Sequence, residues 1–479
     1  MTARRQLTFA APPPLPDHKF SLWLDQAGAF EDAAPPGAAS LPPACDVCVV
    51  GGGFTGLWSA IQLKREDPAA EVVLLEAGIC GGEASGRNGG FVMTAWSKFG
   101  TLSQLCGTDG ALAYGRAAER AVSEIGEFCE AEGIDAEFRQ AGWIWAASNT
   151  GQLDSWKYTV EELNAAGVDP FQPLTAEEVA ARTGSPVHVG GVYEEAPATI
   201  HPAKLARGLM KAARDLGVEI IEGCAVRSID PGPETVVGTE KGNLEAGKVI
   251  LAMSAWASGV PEARRGLIVV SSDVVATAPV PDRLEKIGWN DGTAISDSRR
   301  MVNYYRTTED GRVVFGKGGG DIAYRNRVTR DFDRSTRRAP TVTASFRRIY
   351  PMLADVPVES AWRGAVDYSV TGLPFIGPLK DCPQVLMASG FSGNGVGPAY
   401  VAGKGLARMA LGRDAPDIPP GLREPRDGRL PPEPLRHIAG LVVRNAVRSK
   451  EDAEDLGREP RNLLQRVAAV DPTSFVERG

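Results

Sequence analysis

The sequence predicts an α/β fold: a discontinuous Rossmann-like domain for a dinucleotide, with an inserted antiparallel-sheet domain. Three observations predict it. The run Val49-Val50-Gly51-Gly52-Gly53-Phe54-Thr55-Gly56 places a glycine turn between an apolar strand and a helical stretch. Glu76 closes a second strand, Val72-Val73-Leu74-Leu75, 20 residues beyond Gly56. Segments of this nucleotide type recur at 46–92, 218–257 and 384–411, with material of a different character between them.

Each part of the first unit has a physical task. Gly51 allows the tight turn, Gly53 lets the backbone approach a pyrophosphate, and Gly56 lets the helix pack on the strand. The helix N-terminus supplies N–H groups and a positive dipole end for phosphates. Glu76, followed by Ala77, stands where a carboxylate accepts hydrogen bonds from ribose hydroxyls.

Residues 1–44 are rich in Pro and Ala and form an N-terminal extension, with Phe20-Ser21-Leu22-Trp23-Leu24 as a small anchor. Ala117–Glu132, Ala176–Arg182 (N-cap Thr175) and Pro202–Leu216 (ended by Gly217) read as helices. Gly142–Ala146, Val218–Ile221, Lys248–Ala252, Leu267–Val270, Asp273–Thr277 and Val313–Phe315 read as strands. The expected domains are 45–135, 200–260 and 355–419 for the dinucleotide, and 136–199 and 261–354 for the substrate. Residues 420–479 form a tail with an amphipathic helix over Glu433–Lys450. Packing on its own body is the leading reading of that helix; a membrane-surface or partner role is the alternative.

Bulk properties exclude several classes. The chain has 479 residues, 43% hydrophobic and 23% charged, as in an ordinary soluble globular protein. A formal net charge of −8 argues against general nucleic-acid binding. Arg4-Arg5 has no apolar run after it, so we expect no export signal, no transmembrane span and a cytoplasmic location. Seven cysteines in this length make no disulfide framework, and Cys45 and Cys48 run into the first strand. Histidines at 18, 188, 201 and 437 are scattered, so no metal site is expected, and His201 reads as a cap.

The choice of dinucleotide rests on a second glycine cluster, Cys80-Gly81-Gly82-Glu83-Ala84-Ser85-Gly86-Arg87-Asn88-Gly89-Gly90-Phe91. A nicotinamide has no need of it. A flavin does, because its ribityl chain and broad ring need backbone alongside them, and small residues permit that approach. Ser85 and Arg87 can donate to the pyrophosphate, and Asn88–Phe91 can pass along a ring edge.

Here the sequence resembles the FAD-dependent D-amino acid oxidase-like family, which includes glycine oxidase, sarcosine oxidase and gamma-glutamylputrescine oxidase. Gly51–Gly56, Glu76 and Ser85–Gly90 match its N-terminal signature. Trp362-Arg363-Gly364, Gly372–Gly377 and Gly390-Phe391-Ser392-Gly393-Asn394-Gly395-Val396-Gly397 match its C-terminal one. The resemblance implies FAD, an adenine contact at Val226, and flavin contacts at Gly393, Asn394, Gly395 and Val396. The sarcosine branch attaches its flavin through a cysteine near the C-terminal signature. Cys382 is misplaced for that, so the FAD is expected to be non-covalent.

One departure bears on substrate. The family's α-amino acid oxidases carry a carboxylate-binding arginine where this chain has Val366. A valine cannot bind a carboxylate. The pattern ending at Asp367 is more similar to the gamma-glutamylputrescine oxidase branch. The layout also resembles bacterial proteins described as aminophosphonate oxidoreductases, for which Lys98, Arg306 and Lys317 are candidate cations, with Tyr305 lining the pocket beside Tyr304. Lys317 and Tyr305 are also the candidate catalytic residues, Lys317 by favouring oxygen reduction.

The expected reaction is hydride transfer from an amine C–N carbon to flavin N5, with oxygen as acceptor and no side-chain base. Rivals are an α-amino acid oxidase with a relocated carboxylate site and a non-catalytic dinucleotide-binding partner protein.

Overall fold

A computed structural model describes residues 6–9, 21–31, 40–332, 335–426, 428 and 430–470. Two large sheets organise the chain. In the first, parallel strands run in the order Glu219–Ile221, Val72–Leu75, Ala44–Val50, Gly242–Leu251 and Cys382–Ser389. Antiparallel strands Thr235–Thr239, Val226–Asp230 and Leu7–Thr8 extend it, and Phe375–Leu379 pairs with Cys382–Ser389. Its inner strands are buried on both faces and read as continuous apolar runs, as parallel strands under helices must. Helices Phe54–Glu66 and Val396–Ala410 pack together over one face. The three nucleotide-type segments therefore meet in one sheet. Cys48 is buried beneath the turn, and Phe20, His18 and Arg4-Arg5 lie outside the described residues.

The second sheet has eight strands: Val358–Ser369, Leu267–Thr277, Val313–Lys317, Asn303–Thr307, Ala294–Asp297, Trp143–Ala147, Gly190–Glu194 and Phe171–Leu174, in that spatial order. It is antiparallel except where Ala294–Asp297 runs parallel to Trp143–Ala147. Two expectations are corrected. Leu267–Val270 and Asp273–Thr277 are one strand, because Ser271-Ser272 pairs with Gly364–Ala365 rather than turning. Residues 358–369, placed by sequence with the dinucleotide domain, are the edge strand of this sheet.

Alternation gives this sheet two unlike faces. Ile144, Ile295, Tyr305, Phe315 and Val275 form a core with Phe346 and Ile349 of the helix Ala339–Ile349. Tyr304, Val274, Val314 and Trp362 lie on the other face, against Trp23 and Leu24 of the short helix Leu22–Gln26.

Local signals explain the helix ends. Thr175 and Glu178 form a reciprocal capping box, and Gly184 ends that helix in the left-handed region. His201 Nδ1 accepts from Lys204 N–H at 3.2 Å, a capping role at the start of Pro202–Asp215. The helix expected at 117–132 begins at Phe99 and runs to Ala131, bent at Gly107. The tail helix Leu435–Asp455 crosses the ends of the second sheet's strands. Glu451 accepts from Met301 N–H at 3.0 Å, and Asp455 pairs with Arg299 and Arg348. Ala446 and Val447 face inward, whereas Leu435, Ile438 and Val442 are exposed. No helix among the described residues is long and apolar enough to cross a membrane.

Candidate active site

The first glycine turn is as tight as the motif requires. Gly51 has φ +110°, and a Cβ there would lie 2.5 Å from the Ala252 carbonyl oxygen. A Cβ on Gly56 would lie 1.9 Å from the Gly51 oxygen, so helix and strand meet backbone to backbone. Phe54 N–H donates to Ser85 Oγ at 2.9 Å, tying the first cluster to the second at Gly53. Thr55 is buried behind the turn.

Glu76 accepts from Gly52 N–H and Gly78 N–H, each at 2.7 Å. Burial raises its pKa, and those two N–H groups hold it down. Each oxygen retains acceptor capacity for a ribose hydroxyl. Ala77 is exposed beside it. Cys224 N–H donates to Glu76 O at 2.8 Å, which brings Val226, the first residue of the next strand, to the same end of the sheet. Sequence reasoning missed Glu222. It accepts from Cys80 N–H at 2.7 Å and from Arg207 at 2.9 Å, and so holds the loop after Glu76. Its signal is a lone acid after a short strand, 142 residues from its partner.

In the second cluster, Arg87 is turned back on its own loop. Its Nε donates to Gly82 O at 2.8 Å, and Nη1 lies 3.2 Å from Glu83. This geometry braces the loop with two of the guanidinium nitrogens. A Cβ on Gly86 would strike the Gly81 oxygen at 2.2 Å. Asn88 Nδ2 donates to Ala84 O and Ser85 O, and its Oδ1 accepts from Gly90 N–H at 2.7 Å. The carbonyls of Arg87, Asn88 and Gly89 accept in turn from Trp362 Nε1 (2.9 Å), Trp23 Nε1 (2.9 Å) and Arg306 Nε (3.0 Å).

The C-terminal signature forms a third piece of backbone. Asp367 Oδ2 accepts from Gly390 N–H at 2.6 Å and Ser389 Oγ at 3.0 Å. Gly390 and Gly393 have φ of +85° and +87°, and Ser392 shares the left-handed region at +56°. Gly395 caps the helix that begins at Val396. Asn394 Nδ2 donates to Thr94 O at 2.9 Å, whereas its buried Oδ1 meets no donor among the described residues. Thr94 Oγ1 donates to Glu194 at 2.5 Å. Glu194 is buried, and desolvation pushes its pKa up to about 8. Sequence inspection gave no hint of Glu194, because its role depends on a contact across 100 residues.

Several expected substrate residues lie elsewhere. Tyr305 is fully buried in the core, stacked on Phe315 at 4.9 Å and bonded to His188 at 2.5 Å, so it faces away from the glycine clusters. Tyr304 is the tyrosine that faces them: a Cβ on Gly89 would lie 2.9 Å from its ring. Lys317 shares the Tyr305 and Phe315 face and donates to Asn303 Oδ1 at 3.0 Å, opposite Tyr304, which crosses Gly316. Burial lowers its pKa, and Asp297 opposes that shift. Arg306 is buried, donates to Gly89 O and Ile200 O (2.8 Å), and has its pKa pushed down to about 10 by desolvation. Lys98 is exposed on the outside of the molecule. Val366 shares its face with Trp362 and Gly364 and is half-buried, on the side of the clusters. Across the sheet, Ser272 Oγ lies 2.8 Å from the Tyr304 hydroxyl.

Hydrogen bonds link the three stretches of backbone: Phe54 beside Gly53 reaches Ser85, and Asn394 reaches Thr94, four residues beyond Gly90. Positions where a Cβ would clash and an unpartnered Asn394 Oδ1 fit a long dinucleotide ending in a polar ring. That is what an FAD presents. Cys382, which opens the strand ending at Ser389, is buried at the opposite end of that strand from the signature.

Comparison with known proteins gives the same cofactor. The chain is 29% identical to gamma-glutamylputrescine oxidoreductase of Escherichia coli over 371 residues, covering 77% of this chain and 84% of that enzyme. It is 25% identical to glycine oxidase of Pseudomonas aeruginosa, covering 80% and 99%. The crystal structure of glycine oxidase from Geobacillus kaustophilus superposes with a TM-score of 0.66 at 23% identity, covering 78% of this chain and 96% of that one. Residues 46–409 match the model described as DAO, FAD-dependent oxidoreductase. The chain belongs to the DAO family of FAD-dependent oxidoreductases, which act on amines or amino acids.

Proposed function

We propose that this enzyme oxidises the C–N bond of a primary or secondary amine to an imine, with non-covalent FAD as hydride acceptor and oxygen reoxidising it. One observation carries the choice of amine. The second-sheet face turned to the glycine clusters presents the uncharged Tyr304, Ser272, Gly364 and Val366, and the buried cation beside them, Arg306, is already bonded to the carbonyls of Gly89 and Ile200. Of the cations proposed for a phosphonate, Lys98 is exposed, Lys317 lies on the opposite face of the sheet, and Arg306 is taken up by backbone carbonyls. A polyamine or N-methylated amine suits such a wall better than an aminophosphonate or an α-amino acid.

FAD, when bound, supplies the two-electron acceptor. The chain supplies position and electrostatics. The Tyr304 hydroxyl stays neutral, because burial pushes its pKa well up, and with Ser272 it offers one hydrogen-bonding pair to an amine nitrogen. Val366 gives an apolar contact. The N-terminus of Val396–Ala410 directs its positive dipole end at the Gly393–Gly395 stretch, which favours negative charge there. The amine binds deprotonated, so the reaction needs no side-chain base, and orientation lowers the barrier. The imine then hydrolyses to a carbonyl compound and ammonia or a smaller amine.

An anaerobic panel tests this: polyamines and N-methylated amines against 2-aminoethylphosphonate, glycine and D-alanine. Bleaching of the flavin by amines that lack an acid group supports the reading. Faster bleaching by glycine or D-alanine supports an α-amino acid oxidase with its carboxylate site moved from position 366, an alternative that the glycine oxidase relative keeps in view.

A further inference from the structure

We propose that the N-terminal segment around Trp23 is a positioning element of the flavin site. Trp23 lies outside residues 46–409, the stretch shared with the family, yet it is built into the second glycine cluster. Three successive carbonyls of that cluster, on Arg87, Asn88 and Gly89, each accept from a buried donor supplied by a different part of the chain. Trp362 comes from the edge strand of the second sheet, Arg306 from its middle and Trp23 from the N-terminal helix.

Trp23 is the hub of the three. It is fully buried. Its ring meets Trp362 edge-on at 6.2 Å and His201 at 4.7 Å, and the Arg306 guanidinium sits 5.0 Å from its centroid. Leu24, the next residue, presses on Gly86 so closely that a Cβ there would lie 2.7 Å from its methyl group. The same short helix therefore fixes the loop by a hydrogen bond and by packing.

The consequence for a bound flavin is electrostatic. The side chains of Arg87 and Asn88 brace the loop from within, but its carbonyls at 87, 88 and 89 take their donors from outside it, next to Gly90 at φ +73°. Each carbonyl oxygen carries partial negative charge. With Trp23, Trp362 and Arg306 as donors, the negative charge of the three oxygens is engaged and would not be turned on a flavin ring bound beside the loop. Releasing even one lets the loop turn a carbonyl towards the ring, which disfavours the reduced, anionic form.

The test uses the full-length holoenzyme and needs no substrate, so its failure is distinguishable from failure of the amine reading. Trp23→Phe keeps a large ring and removes the N–H; Trp362→Phe does the same one residue along the loop. Trp289→Phe is the control, because that indole is equally buried but its N–H meets no acceptor among the described residues. The expected result is that Trp23→Phe and Trp362→Phe lower the flavin midpoint potential, alter the visible flavin spectrum and weaken FAD binding about tenfold. Trp289→Phe should lower only the melting temperature. If Trp23→Phe fails to fold, Trp362→Phe and Arg306→Lys carry the same comparison. Wild-type potential, spectrum and FAD affinity in the folded variants would overturn the proposal.

Discussion

Asp367 accepts the Gly390 N–H at 2.6 Å, so an acid near the end of one strand of the second sheet fixes the turn that opens the C-terminal signature. The same carboxylate takes the Ser389 hydroxyl, and the Ser392 N–H donates to the Asp367 carbonyl at 3.1 Å. One residue thereby joins the strand that carries Val366 to the backbone that carries Asn394.

Replacing Asp367 by Ala leaves the buried Gly390 N–H without a partner, at a cost of about 1–3 kcal/mol. The variant should melt at lower temperature and bind FAD more weakly, with a smaller effect from Asp367→Asn, which keeps an acceptor oxygen. Thermal denaturation with and without added FAD reads both.

Tyr304 and Lys317 come from neighbouring strands but opposite faces, and they should separate cleanly. Tyr304→Phe removes the hydroxyl bonded to Ser272 and should raise KM for the amine about tenfold, about 1.4 kcal/mol, with less effect on kcat. Lys317→Met should destabilise the protein by about 1–3 kcal/mol through the stranded Asn303 amide oxygen. Its rate of flavin reoxidation by oxygen should stay at the wild-type value. A large loss of oxygen reactivity in Lys317→Met would restore the role that its sequence position suggested.

Glu194 gives a pH prediction with a definite sign. An unfolded glutamate ionises near 4.5, whereas buried Glu194 holds its proton to about 8. Between those values the folded state binds the extra proton, so this group makes stability fall as pH rises, by up to about 1.4 kcal/mol per pH unit. Below the lower value both states are protonated, and above the upper one both are ionised, so the slope vanishes. Glu194→Gln removes the term. Its stability relative to wild type should therefore improve steadily across that window in denaturant titrations at a series of pH values.

How legible the site was depended on how far apart its partners lie in the chain. The glycine turn and Glu76 were plain because strand, turn, helix and acid fall within one short segment, and each residue type answers a local steric or hydrogen-bonding need. The discontinuity of the first sheet was visible because its strands carry the same apolar character wherever they occur. Residue assignments on the second sheet were harder. Tyr304 and Tyr305 are adjacent, and a period of two sends one to the side of the glycine clusters and the other to the core. No local signal says which, since both faces of this sheet are buried. The register with Gly316 decides it, and Lys317 follows. Arg306 looked like a ligand for an anion because it was read without its partners, the carbonyls of Gly89 and Ile200, which lie 217 and 106 residues away. Glu222 and Glu194 were missed for the same reason, and the anchor around Trp23 was visible without its target, Asn88, 65 residues away.

Val366 is the position where the substrate question narrows. Val366→Arg places a guanidinium on the side of the strand that faces the glycine clusters, between Gly364 and Tyr368. It should raise kcat/KM for glycine or D-alanine about tenfold or more and lower it for amines that lack a carboxylate. Steady-state kinetics with both substrate classes tests this.

The rate at which amines reduce the enzyme-bound flavin in the absence of oxygen tests the proposed amine chemistry most directly. Stopped-flow mixing of the yellow wild-type protein with polyamines, N-methylated amines, 2-aminoethylphosphonate, glycine and D-alanine gives those rates side by side. The prediction is rapid bleaching by an amine without an acid group and slow or no bleaching by the amino acids and the phosphonate. Fast reduction by glycine, D-alanine or the phosphonate, with the plain amines inert, would contradict it.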